Sequence, residues 1–254
     1  MHEFYNTQII PILIDDDINK GDNVVDLIME AIKERNESLL ENDVVVITHK
    51  VISKAEGKVA DLSTIVPSEE SKKISLDTGK DPRLVELILS ESNEIVKIER
   101  DIIIAETKHG FVCANAGIDA SNVGMLSNHV VLLPDNPDES ARRIRNDIKS
   151  RTKINVSIII SDTFGRPFRK GQVNVAIGIA GIDPMVSYIG KTDMYGKILK
   201  VTEIAIADEL ASAAELVMGK SSRIPVAIIR GCHYTSGNSS ISNINRSKED
   251  DLFR

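Results

Sequence analysis

Cysteine is scarce in this chain of 254 residues. Cys113 and Cys232 each lie beside an apolar run, so a disulfide framework is excluded and free, buried thiols in a reducing, cytoplasmic setting are expected. Positive charge is also short. The 31 lysines and arginines face 38 aspartates and glutamates, a net charge of -7, which argues against a nucleic-acid partner because that role needs a basic face to neutralise phosphates. Any basic site must be local. No apolar run approaches the roughly 18 residues of a membrane span, and the opening MHEFYNTQIIPILIDDD has no basic segment followed by a long apolar one, so neither secretion nor membrane insertion is expected. Missing too are the glycine-lysine pattern of the P-loop and a glycine-rich turn after a first strand. A bound nucleotide must be held by another geometry.

What is present suffices for a sizeable core, since 42% of the residues are hydrophobic and 27% charged; one large domain or two modest ones fit that length. Short β-branched runs at Val44 to Ile47, Ile102 to Ile104, Val130 to Leu133, Val156 to Ile160, Val173 to Ile179 and Val226 to Ile229 predict strands. Asn136-Pro137-Asp138-Glu139 opens a helix with a cap, a proline at its first position and early acids, followed by Ala141, Ile144 and Ile148 on one face. A second helix is predicted over Thr202 to Met218, with Ile206, Leu210, Ala213 and Val217 as its apolar stripe and Gly219 as its C-cap. Helices near Val24 to Lys33 and Pro82 to Ser90 follow from the same periodicity. The alternation predicts an α+β fold with mixed sheets and flanking helices, in which the region after Ser68 is an inserted helical part. The polar segment Ser236 to Asn245 is expected to be a long flexible loop. No domain boundary is visible, and the chain is taken as one unit of two subdomains.

Four segments carry chemistry. Asn115 to Asn122 (NAGIDASN) packs polar groups around a glycine, either as a turn held by Asx hydrogen bonds or as a metal carboxylate, Asp119, beside an amide contact, Asn122. Ser161 to Gly171 follows an apolar strand with an acid and a hydroxyl, Asp162 and Thr163, a natural place for a hard cation with oxygen ligands; Arg166 and Arg169 then offer forks for a carboxylate or phosphate. The alternative is a capped, solvated basic turn. Lys50 and Lys54 share a side if their segment is helical and suit a polyphosphate, or form a solvated helix face. Asp15, Asp16 and Asp17 read by themselves as an exposed turn.

The strings VISKAEG, NAGIDASN, SDTFGRPFR and YIGKTDMYG, in this order, closely resemble the coenzyme F420-0:gamma-glutamyl ligase family, from about Ile10 to Asp251. The resemblance implies a GTP-dependent ligase that adds L-glutamate to the phospholactate tail of the deazaflavin coenzyme F420-0 and extends it by gamma-linkage. Magnesium or manganese at two sites, and potassium, are the implied cofactors. A two-domain α+β fold and an intertwined homodimer are implied as well, and the low aromatic share, 4% of the residues, points the same way. Residue by residue, Asp119 and Asp162 match the carboxylates of one metal site and Thr163 a ligand of the second. His49, Lys50, Lys54 and Asn122 match nucleotide contacts, as do the loop Asp15, Asp16, Asp17, Ile18 and the segment Leu216, Val217, Met218, Gly219, Lys220, Ser221, Ser222, Arg223. Two departures stand out. Ile14-Asp15-Asp16-Asp17 replaces a Gly-Ile-Pro-like turn, and Lys220 stands at a position that is acidic in some relatives and there supports the second metal. No nitroreductase-like extension is expected after Arg254.

An amide does not form from a free carboxylate in water without activation. The resemblance supplies it as γ-phosphoryl transfer from GTP, giving an acyl phosphate that the amine of glutamate attacks, with Asp119, Asp162 and Thr163 clamping phosphates through metal and Lys50, Lys54, Arg166 and Arg169 holding anionic groups. An amide ligase of the same fold acting on another acid-tailed acceptor, and a catalytically silent nucleotide- or metal-binding regulator, are the competing readings. Retention of both Asp119 and Asp162 counts against the silent one.

Overall fold

Five β-branched runs come together in one sheet of the computed structural model, which describes residues 6–120 and 128–251. In chain order the strands are β1 (Gln8–Ile12), β2 (Val44–Thr48), β3 (Val59–Asp61), β4 (Ser92–Glu99), β5 (Ile102–Thr107), β6 (Val112–Ala114), β7 (His129–Val131), β8 (Ser157–Arg166), β9 (Arg169–Ala180), β10 (Val186–Ser187), β11 (Glu203–Ile204) and β12 (Val226–Arg230). The helices are α1 (Val24–Glu34), α2 (His49–Ala55), α3 (Glu69–Thr78), α4 (Pro82–Ser90), α5 (Pro137–Thr152) and α6 (Ile206–Met218).

The main sheet has the order β1-β12-β2-β8-β9 and is mixed: only β2 and β8 run parallel. β2, β8 and β12 are buried along nearly all of their apolar length, so both faces of the sheet need cover. α1 with α5, and α6, provide it. Their caps follow the sequence. Asn23 accepts from Val25 N and Asp26 N, Asn136 accepts from Glu139 N, and Lys153 closes α5 in the left-handed region.

The parallel crossover from β2 to β8 holds the middle of the chain. α3 and α4 lie there as a helical insertion would require, but so do an antiparallel sheet β4-β5-β6 and the pair β3–β7. The insertion is therefore α+β rather than helical, with small apolar clusters of its own around Val85, Ile88, Ile103 and Ala105 and around Leu62, Leu87 and Val130.

Three further expectations change. α6 starts at Ile206 rather than Thr202, because Glu203 and Ile204 pair with β10. Its buried face is Ala207, Leu210, Ala211, Ala214 and Met218, so of the predicted stripe only Leu210 is central while Ile206, Ala213 and Val217 lie at the margin; a helix set close on a sheet selects alanines. β8 does not stop at Ile160 but runs on to Arg166 and returns through Pro167 and Phe168 into β9. Segment 236–245 is tied down rather than loose: Asp138 accepts from Ser240 Oγ at 2.8 Å and Ile241 N at 3.1 Å, Asp183 accepts from Ser239 Oγ at 2.6 Å, and Ile241 is buried in the main core. No helix among the described residues is long and apolar enough to cross a membrane.

Candidate active site

Where β2 and β8 end side by side, at Thr48 and Ser161, the chain opens into a cleft of about 720 Å³. The carboxyl ends of parallel strands are the usual place for a ligand, because the chain must leave the sheet there and loops from several elements converge. β2 turns directly into α2, and Lys50 and Lys54, four residues apart on that helix, both line the cleft.

Two carboxylates face the same space. Asp119 is delivered by a 3-10 turn, Asn115–Gly117, in which Asn115 and Ala116 hold φ near 53° and Gly117 71°. A buried alanine in the left-handed region is strained. At Gly117 a Cβ would lie 2.9 Å from Leu133 Cδ1, so the turn also depends on the missing side chain. Reciprocal backbone bonds between Asp119 and Val131 then fix the carboxylate's base, and Lys50 Nζ lies 2.6 Å from Asp119 Oδ2. Asp162, on β8, accepts its neighbour's N–H, from Thr163, on Oδ1 at 2.6 Å. His49 Nε2 is 3.3 Å from that oxygen, at ion-pair distance but without the alignment of a hydrogen bond. Burial, and after it the Asp162 charge, push the nearby Cys113 thiol up to about 12, so this cysteine is no nucleophile.

Beside Thr163 a polar chain crosses from β9 to α6. Thr163 Oγ1 donates to Asn174 Oδ1 at 2.7 Å, and Asn174 Nδ2 donates to Glu215 Oε2 at 2.9 Å. Lys220 Nζ reaches into it, 2.5 Å from Thr163 Oγ1, 3.3 Å from Asn174 Oδ1 and 3.1 Å from Glu215 Oε1. Opposite, the loop of Asp15, Asp16, Asp17 and Ile18 forms the cleft's acidic rim and is anchored by Arg223, whose Nη1 donates to Asp15 O at 2.9 Å and whose carbonyl accepts from Ile14 N at 3.1 Å.

The profile of the family described as F420-0:gamma-glutamyl ligase matches residues 14–231. A coenzyme F420:L-glutamate ligase of Methanocaldococcus jannaschii is 50% identical over 215 residues, 84% of this chain and 85% of that protein. Proteins of the same name are 45% identical in Methanothermobacter thermautotrophicus, over 93% of this chain and 94% of the relative, and 40% identical in Archaeoglobus fulgidus, over 93% and 92%. The chain belongs to the F420-0:gamma-glutamyl ligase family.

This ligase brings Asp119, Asp162, Thr163, Lys50, Lys54, Asp15, Asp16, Asp17, Ile18, Met218, Gly219, Lys220, Ser221 and Arg223 to one cleft. His49 is not at its surface: 1% exposed, it lies behind Asp162, with Nδ1 3.3 Å from Ser53 Oγ, and so positions rather than contacts. Leu216, Val217 and Ser222 do not line the cleft either; Leu216 points to solvent, while Val217 packs at the edge of the core. Arg166 and Arg169 pair with each other at the exposed hairpin tip, because β8 continues for four residues past Asp162, about 13 Å of strand. Neither lines the cleft within one chain. Asn122 lies outside the described residues. Asn174 and Glu215 were missed by the sequence reading. A lone asparagine in the apolar run VNVAIGIA was the available signal for the first.

A divalent cation fits the first carboxylate pair of the ligase, where two carboxylates face one ammonium, once Lys50 Nζ, 2.6 Å from Asp119 Oδ2, gives way to it. The donors are oxygens, and among the described residues Oδ2 of Asp162 takes no hydrogen bond. No group of three or more His, Cys, Asp or Glu gathers among the described residues, so such an ion would complete its shell with water and substrate oxygens. The second implied metal does not fit. Around Thr163 the ammonium of Lys220 already holds the oxygens that the ion would need.

Proposed function

We propose that this ligase uses GTP to join L-glutamate to the phospholactate tail of the deazaflavin coenzyme F420-0, and then extends the product by gamma-linkage. The observation that carries this is the convergence of two carboxylates and two lysines on one cleft in a chain of this family; the names of the relatives, coenzyme F420:L-glutamate ligase, support coenzyme F420 and L-glutamate as two of the substrates. The acceptor's carboxylate attacks the γ-phosphorus of GTP, the β–γ bridging bond breaks, and GDP leaves with that bond's electrons. The acyl phosphate so formed has the leaving group that a free carboxylate lacks. The amine of glutamate adds to its carbonyl carbon, phosphate departs, and the amine proton leaves with it.

Phosphoryl transfer of this kind depends on positioning and charge. Lys50 and Lys54 are suited to hold the phosphate oxygens from α2, and Asp119 and Asp162 would hold a magnesium or manganese ion. That ion supplies positive charge against the oxygens of the phosphates as negative charge migrates to the leaving group. The acidic rim is unsuited to phosphate and suits hydrogen-bond donors, which the base and sugar of a guanine nucleotide provide. Arg166 and Arg169, on a hairpin tip beyond the cleft, are assigned to a neighbouring subunit's substrates in a homodimer. Exposed apolar residues on the arm between β10 and β11, Met194 and Tyr195 at 88% each, give such a dimer its contact.

The test is incubation of purified protein with the deazaflavin acceptor, glutamate, GTP, manganese and potassium, read by mass spectrometry for successive glutamate additions. Additions that vanish with chelator are expected. GTP turnover without any addition to this acceptor would move the activity to another acid-tailed substrate, and no nucleotide turnover at all would return the chain to a silent binding role.

A further inference from the structure

We infer that Lys220 is a built-in cation: its ammonium takes the place of the second divalent ion beside Thr163, so the ligase binds one divalent metal per chain with its nucleotide. The inference rests on the nucleotide-and-metal reading above.

An ammonium has three N–H donors and no acceptor. The three oxygens around Lys220 Nζ match that number: Thr163 Oγ1 at 2.5 Å, Asn174 Oδ1 at 3.3 Å and Glu215 Oε1 at 3.1 Å. They come from three elements, β8, β9 and α6, and bond to one another, Thr163 to Asn174 and Asn174 to Glu215. Oxygens held together in this way form a cation receptacle whatever fills it. Asn174 is buried, and its amide orientation is decided by its neighbours: Nδ2 donates to Glu215, which turns Oδ1 toward Thr163 and the ammonium.

Charge decides against a second occupant. Of the three ligating groups only Glu215 is a carboxylate, and it is already paired with Lys220. A divalent ion placed among the same oxygens would face an ammonium a few ångström away and one carboxylate shared between them. The ammonium brings one positive charge toward phosphate oxygens at the cleft where a metal would bring two, which leaves more of the phosphate charge to Lys50, Lys54 and the ion at Asp119 and Asp162.

Manganese binding in the presence of a non-hydrolysable GTP analogue tests this, counted by equilibrium dialysis against an analogue-only control and read in parallel by electron paramagnetic resonance. The parent should bind one manganese per chain with the signal of an isolated ion. K220E, which turns the ammonium into a second carboxylate, should bind two, with the signal of a coupled pair. K220Q removes the ammonium without adding charge and should gain the second ion at higher manganese. Lys220 is 59% exposed, so neither change threatens folding, and unchanged melting in the absence of ligands checks this. Two ions in the parent, or a second ion in neither variant, overturns the inference and leaves the nucleotide reading standing. No manganese beyond the analogue control overturns both.

Discussion

Asp162 shows how much one side chain can carry. It sits mid-strand between an apolar core segment and a polar hairpin, and it accepts the Thr163 N–H on the same oxygen that faces His49. Asn at this position retains an acceptor for Thr163 N–H and loses the charge. D162N should therefore melt within about 2–4 °C of the parent, the shift that about 1 kcal/mol makes in a chain of this size. Ligase turnover should fall about a hundredfold or more, as when a charge-stabilising group is removed from an active site. Near-normal turnover at saturating GTP and manganese would remove Asp162 from the metal site. Asp208 makes a contrasting case on α6. Its Oδ1 accepts from Ala176 N at 2.9 Å, yet burial outweighs that bond and raises its pKa from the ordinary 3.8. A raised folded-state value means that the native protein holds this proton more tightly than the unfolded chain, so stability falls as pH rises from 3.8 through the folded value and the loss is complete above it. D208N keeps the acceptor without the charge. It should be more stable than the parent in urea at pH 7, with the advantage shrinking as pH is lowered toward 3.8.

Elements meet at their smallest residues. Gly178 on β9 lies against the first turn of α5, where a Cβ would come within 2.5 Å of Pro137 Cβ and 2.6 Å of its carbonyl carbon. A backbone atom cannot rotate away, so G178A must push the helix off the sheet. The change should destabilise by about 1–3 kcal/mol in urea unfolding while turnover per folded molecule stays near the parent's, because α5 contributes nothing to the cleft. Loss of activity in proportion to a small stability change would show that α5 is coupled to the site. The same helix start explains why segment 236–245 is ordered. Asp138 spends its two oxygens on Ile179 N, Ser240 Oγ and Ile241 N, joining β9, α5 and the C-terminal segment at one buried carboxylate. A polar composition indicated a free loop, but nothing local in Ser236 to Asn245 announces an acceptor a hundred residues away in sequence.

For the whole molecule the prediction is association. The arm between β10 and β11 is held by one strand pair of two residue pairs, an isolated bridge, Thr192 to Ile198, and a few backbone hydrogen bonds, yet it exposes Ile189, Met194, Tyr195, Ile198 and Val201. Apolar side chains in such number on a thin projection are expected to be covered by a second copy. Light scattering should give about twice 27.9 kDa, and M194D should shift the protein toward the monomer. A monodisperse parent monomer at micromolar concentration would sink the dimer and, with it, the assignment of Arg166 and Arg169 to a neighbour's site.

Six strand cores, the N-cap of α5, the α+β class, and the acids and lysines gathered at strand ends are legible in the linear chain, because β-branched runs, an Asn-Pro-Asp-Glu start and an acid after an apolar strand act over a few residues. Tertiary structure decided what depends on a partner far along the chain. β8 extends beyond Ile160 because β9 pairs with it, which carries Arg166 and Arg169 away from the cleft; α6 loses its first four predicted residues because β10 claims Glu203 and Ile204. His49 moves behind Asp162 because α2 begins directly at the end of β2 and turns that face inward. Lys220 looked like a nucleotide contact or a defective metal position. Only the meeting of Thr163, Asn174 and Glu215 from three separate elements shows the ammonium at the centre of a cation site, since a receptacle of oxygens exists nowhere in the linear chain.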